Sequence, residues 1–327
     1  MKLISALALL SLTLPTAVLA ADELVVYSER KDHLIRPLLE QYSAQTGVEV
    51  RFLTDSAGVL IERIAAEGTN TPADLFLTVD AGSLWQATER GLLVSASGPN
   101  LQANIPDHLA DPEGRWYGLS MRARTVVYST ERVDRNELGS YADLADAKWQ
   151  GRLCLRTSKK VYNQSLVAML INANGEQATE QMVRGWVANL AAPPFSNDTS
   201  LIEAIAAGQC DVGIVNTYYL GRLLKDDPTT PVTVHWPPAT HINISGGGVV
   251  ANSDQKEQAT ALLDWLASDQ AQALFAGLNL EYPADPNADL DPLVEAWGTF
   301  DADQANLSHA GRLQAEAVRL MDRAGYR

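Results

Sequence analysis

The sequence predicts an α/β protein of two lobes, each built on its own sheet. Two observations carry this reading. At 327 residues, the chain exceeds what one hydrophobic core usually organises. Strand-like and helix-like segments also alternate along it, and the pattern runs twice. Hydrophobic residues make up 46% and charged residues 20%, a globular balance that excludes a disordered or fibrous chain. Acidic residues outnumber basic ones, 40 to 25, for a formal charge of −15. That field repels phosphate backbones and argues against nucleic acid as a partner.

Residues 1–20 have the form of a secretory signal. Met1 and Lys2 give a basic start, an apolar run follows, and Val18, Leu19 and Ala20 offer a cleavage site before Ala21. Cysteine is absent near that point, so no lipid anchor is expected, and the mature chain is read as exported. The elements then follow in order. Residues 24–27 read as a buried strand, 35–47 as an amphipathic helix ended by glycine, and 48–53 as a second strand. Residues 57–67 read as helix, 74–79 as strand and 82–90 as helix. The middle of the chain repeats this order: strands at 125–128 and 152–157, helices at 163–172 and 179–190. A capping box at Ser200 and Glu203 is expected to open a helix running to Gly208. Strands at 210–215 and 232–236 follow. Gly246–Gly248 is expected to be a hinge or turn, since no Lys-Ser/Thr pair follows to make it a phosphate loop. Residues 249–251, helices at 255–268 and 270–276, a loop over 282–292 and a helical tail over 305–324 complete the chain.

Recognisable enzyme signatures are missing: GxSxG, HExxH, a Walker lysine loop, and GxGxxG after a strand. His33, His108, His235, His241 and His309 show no ligand spacing. Cys154 and Cys210 lie in strand-like runs; an oxidising compartment favours a disulfide if those strands are neighbours, and two buried thiols otherwise. The informative residues are tyrosines. Tyr218 and Tyr219 directly follow a strand, and Tyr162 lies after another, just before a helix. In open α/β sheets, ligands bind at the carboxyl ends of strands. Position alone leaves open whether these phenols are ligands or ordinary half-buried tyrosines.

Several segments, in order, decide the matter by resemblance: 24–30, 73–81, 121–128, 161–165, 214–219, 244–246 and 281–283. The sharpest is Asn216-Thr217-Tyr218-Tyr219. Across nearly the whole mature length, the chain resembles the periplasmic ferric-iron-binding proteins of ABC-type importers. The resemblance implies a periplasmic-binding-protein fold: two α/β lobes joined by crossing strands, with the ligand cleft between them. On this reading, residues 21–121 completed by 243–289 form the N-lobe, and 122–242 completed by 290–327 the C-lobe. It also implies iron(III) as the transported ligand, Tyr162, Tyr218 and Tyr219 as metal ligands, and no enzymatic activity. Carbonate or bicarbonate is the implied synergistic anion, with Arg30, Arg124 and Ser158 as its candidate partners. The implied partner is an inner-membrane ABC permease, the expected state a monomer. Phenolate is a hard anionic donor suited to a hard trivalent cation. The chain departs from the family where an N-lobe histidine is expected: those positions hold Lys31 and Asp32, and His33 comes too late. Asp32 or Asp80 is left as a candidate N-lobe ligand. The rival readings are a binder of phosphate, thiamine or a polyamine, and an exported hydrolase.

Overall fold

A computed structural model describes residues 23–327; the signal-sequence reading of residues 1–20 lies outside them. Ten strands occur among the described residues, in chain order β1 (Glu23–Ser28), β2 (Glu49–Thr54), β3 (Leu75–Thr78), β4 (Leu93–Val94), β5 (Tyr117–Ser129), β6 (Leu153–Cys154), β7 (Val212–Asn216), β8 (Val232–His235), β9 (Ile242–Val250) and β10 (Tyr282–Pro283). Their lateral order is β2-β1-β3-β9-β5-β7-β6, with β4 against β9 and β8 and β10 against β5. β1 is parallel to β2 and β3, and β3 is antiparallel to β9.

The long strand β5 serves both halves. Residues 117–123 pair with β9, whereas residues 124–128 pair with β7. The chain therefore crosses between two sheets along β5 and returns along β9. A core containing Leu24, Phe76, Ile244 and Leu263 packs on one side of this crossing. Beyond it, Val126, Trp149, Trp186 and Ile214 fill one face of the second sheet, and Val127, Ile205 and Val215 the other. Helices obey their apolar faces: Asp32–Thr46 buries Leu34, Ile35, Leu38, Leu39 and Tyr42 and stops at Gly47, whose φ is 78°.

Several expected elements are corrected. Gly246–Gly248 forms no turn but the buried middle of β9. A Cβ there would collide with carbonyl oxygens of Tyr117 at Gly246 and of Arg115 at Gly248, so the neighbouring backbones require glycine. The capping box at Ser200 is replaced by Asn197, whose side chain accepts the Ser200 N–H at 2.9 Å and starts helix Asp198–Ala206. Strand 125–128 is the end of the 13-residue β5. Strand 152–157 shrinks to two residues plus a bridge between Arg156 and Phe195. The C-terminal tail divides into Ser308–Arg312 and Gln314–Arg323.

Candidate metal centre

Neighbouring parallel strands deliver the three phenols. β6 and β7 pair in parallel. β7 runs directly into helix Thr217–Asp226, placing Tyr218 and Tyr219 in its first turn. The chain leaving β6 enters helix Val161–Asn174, which begins two residues before Asn163 and so holds Tyr162 in its own first turn. Both helix N-termini carry partial positive charge, which favours anionic oxygen nearby.

Tyr162, Tyr218 and Tyr219 line one cavity of about 170 Å³. The Tyr218 and Tyr219 rings lie 4.4 Å apart at 31°. The Tyr218 hydroxyl accepts the Asn216 side-chain N–H at 3.3 Å. Burial pushes the Tyr162 phenol above its ordinary value, with Arg122 pulling it back down. Tyr218 rises well above its ordinary value through burial and through the proximity of Tyr162 and Tyr219. The Tyr162 and Tyr218 phenols therefore hold their protons unless a cation displaces them.

Cations surround them. Arg122 on β5 is 2% exposed, and its Cζ lies 5.3 Å from the Tyr162 ring centroid. It bonds the Val79 carbonyl and, at 3.5 Å, the Ser245 hydroxyl, with no carboxylate at ion-pair distance among the described residues. Lys160 Nζ lies 5.1 Å from the Tyr162 ring and Arg222 Cζ lies 5.0 Å from the Tyr218 ring; both residues line the cavity. Arg156 Nη1 donates to the Tyr219 hydroxyl at 3.4 Å. Glu29 is also on the wall, its carboxylate held by the Thr78 hydroxyl at 2.6 Å and the Val79 N–H at 3.1 Å.

The arginines expected to hold an anion are differently placed. Arg30 lines the cavity, but its donors reach Ser245, Glu281 and the Phe275 carbonyl at 3.0, 3.2 and 2.8 Å. Its partner Glu281 is raised by burial, yet Arg30 and Arg122 hold it below its ordinary value, so it remains ionised. Arg124 lies off the cavity, bonded to Asn163, Asp198, Asn216 and the Ile214 carbonyl. Ser158 also lies off it; its carbonyl accepts from Gln164 at 3.4 Å. Asp32 is exposed and paired with Arg36 at 2.5 Å. Asp80 is buried, accepting from Ser83 N at 2.8 Å and from Asn243 at 2.8 Å. Neither carboxylate lines the cavity. Cys154 and Cys210 are joined, with S–S 2.07 Å and Cα atoms 6.0 Å apart.

Sequence reasoning passed over Arg122, Lys160, Arg222 and Glu29. Arg122 was visible as one of two arginines spaced by two on a strand. Which of them faces the cleft depends on β5 changing sheets between them, which no local pattern announces. Among the described residues, no group of three His, Cys, Asp or Glu side chains could hold a metal ion. The phenols are the donors that converge.

The family model for bacterial extracellular solute-binding proteins matches residues 70–303. Iron uptake protein A1 of Synechocystis is 39% identical over 316 residues, covering 94% of this chain and 88% of that one. The solved structure of the Trichodesmium protein IdiA (FutA) in complex with iron and citrate superposes with a TM-score of 0.89 at 41% identity, covering 93% of this chain and 100% of that one. The Bordetella ferric binding protein gives a TM-score of 0.87 at 34% identity, with 93% and 99% covered.

Proposed function

The chain belongs to the bacterial extracellular solute-binding protein family, and from that premise we propose that it is the iron(III)-capturing component of an ABC importer. It works by reversible coordination and makes or breaks no bond in a substrate. The observation that carries this reading is the meeting of three phenols, Tyr162, Tyr218 and Tyr219, in one cavity beside the unpaired, buried guanidinium of Arg122. Three tyrosinates balance the charge of one ferric ion. The cation displaces phenolic protons that burial otherwise holds in place.

The remaining cations of the cavity suit an exogenous anion, carbonate or bicarbonate, completing the metal's coordination. Lys160 and Arg222 line the cavity without a carboxylate partner among the described residues, which favours them over Arg124 and Ser158 as its holders. Arg30 contributes charge to the wall, already balanced by Glu281. Residues 21–121 with 243–289 act as one lobe and 122–242 with 290–327 as the other, closing on the metal about β5 and β9. Residues 1–20 direct export to the periplasm, where the protein acts as a monomer and hands iron to an inner-membrane permease. Competition titration with a coloured ferric chelator tests the ligand set. Tyr219→Phe should lose most of the iron affinity while keeping the wild-type circular dichroism; an unchanged affinity refutes the assignment.

A further inference from the structure

All three phenols come from helices that leave the second sheet. The first sheet sends one oxygen donor of its own into the same cavity, Glu29. This residue directly follows β1, and its N–H bonds the Leu77 carbonyl at 2.8 Å, so it stays paired to β3 beyond the strand's end. β1 and β3 are parallel, which places Glu29 at the carboxyl edge of the first sheet, where open α/β sheets bind their ligands. Tyr162, Tyr218 and Tyr219 stand in the same relation to β6 and β7 of the second sheet.

The carboxylate is fixed by one oxygen and free at the other. The Thr78 hydroxyl at 2.6 Å and the Val79 N–H at 3.1 Å both bond Oε2. Among the described residues, Oε1 takes no hydrogen bond and neither oxygen has a cation at ion-pair distance. The Val79 carbonyl accepts from Arg122, so the backbone of one residue positions both the acid and the guanidinium beside Tyr162. Glu29 is near enough for its charge to act on that phenol: burial first, then Tyr219 and Glu29, raise Tyr162 against the pull of Arg122. The other carboxylate on the wall, Glu281, is taken up by Arg30 and Ser120. Lys31, Lys160 and Arg222 also line the cavity, positive charge that offsets a further anionic ligand. Carboxylate oxygen is a hard donor, as phenolate is, and suits the same hard cation.

We propose that Glu29 Oε1 is a fourth protein ligand to the ferric ion, so that the metal is held from both sheets. The inference rests on the reading of the tyrosine cleft as an iron site. Glu29→Gln is the discriminating variant: its amide oxygen keeps the bonds from Thr78 and Val79, and the NH2 group that replaces Oε1 has no lone pair to give a metal. Wild type and variant are titrated with ferric iron and bicarbonate against a coloured ferric chelator. Partners outside the first coordination shell are worth about 10–100-fold in metal affinity, so loss of a direct ligand should cost at least about tenfold. The tyrosinate-to-iron absorption band should persist in the variant, because its phenols are untouched. A crystal of the iron-loaded wild type should show Glu29 Oε1 bonded to the metal, an observation that needs no variant to fold. Wild-type affinity in Glu29→Gln refutes the ligand, and so does an iron-loaded crystal in which the carboxylate stands apart from the metal, whatever the variant's affinity. In either case a tyrosinate band in the wild type leaves the reading of the cleft standing. Wild-type protein that takes up no iron overturns that reading, and this ligand with it.

Discussion

A buried phenol resists losing its proton, and a ferric ion must displace that proton to bind. Arg122 sets the balance between the two. It sits against Tyr162 with no carboxylate at ion-pair distance among the described residues, so the charge it favours nearby is a phenolate. Binding releases about three protons per iron if all three phenols ionise; affinity therefore rises with pH and falls in acid. In Arg122→Met, the phenols lose their compensating cation, and the pH at which iron is half bound should move up by about one unit. Chelator competition repeated across a pH series measures it, and a superimposable curve would remove Arg122 from the site. The tyrosines were legible in the sequence because each follows a strand and matches a family motif. Arg122 was not, because Arg122 and Arg124 alternate identically on paper and only the sheet change within β5 separates their environments.

At the level of elements, apolar periodicity revealed the helices, since each buries one face against a sheet. β9 was misread for the converse reason. Its three central glycines leave room for the backbones of neighbouring strands, so it carries no side-chain alternation to detect. Gly246→Ala should accordingly destabilise the fold by about 1–3 kcal/mol, through a Cβ forced against the Tyr117 carbonyl. Gly58 provides the contrast. It lies inside helix Ala57–Glu67 with open space around it, so Gly58→Ala should stabilise by roughly 0.5–1 kcal/mol. Denaturant unfolding of both variants checks the pair, and equal effects would contradict the packing account. The start of helix Asp198–Ala206 was misplaced because Asn197 and Ser200 both suit a cap, and only geometry shows that Asn197 is the cap, accepting the Ser200 N–H.

For the whole molecule, two lobes could be inferred from length and from the repeated strand–helix order, while the crossing came only with the family resemblance and not from local pattern. It depends on β5 pairing with β9 at one end and β7 at the other, contacts far apart in sequence. The disulfide belongs to this scale because it joins residues separated by 56 positions beside the strands that carry the phenols. Replacing both cysteines by alanine should lower stability by about 2–4 kcal/mol while leaving the iron-free fold intact under native conditions. Thermal unfolding measures the loss; an unchanged midpoint would show that packing alone holds β6 against β7. Iron, binding only the folded chain, should raise the midpoint of both forms.

The most direct test of the central claim is a visible absorption spectrum of the mature protein with ferric iron and bicarbonate, compared with Tyr162→Phe and Tyr218→Phe. Coordination by phenolate predicts an intense tyrosinate-to-iron charge-transfer band that weakens in each variant and changes when bicarbonate is withheld. A protein that binds iron without that band, or keeps it undiminished in both variants, would contradict the account.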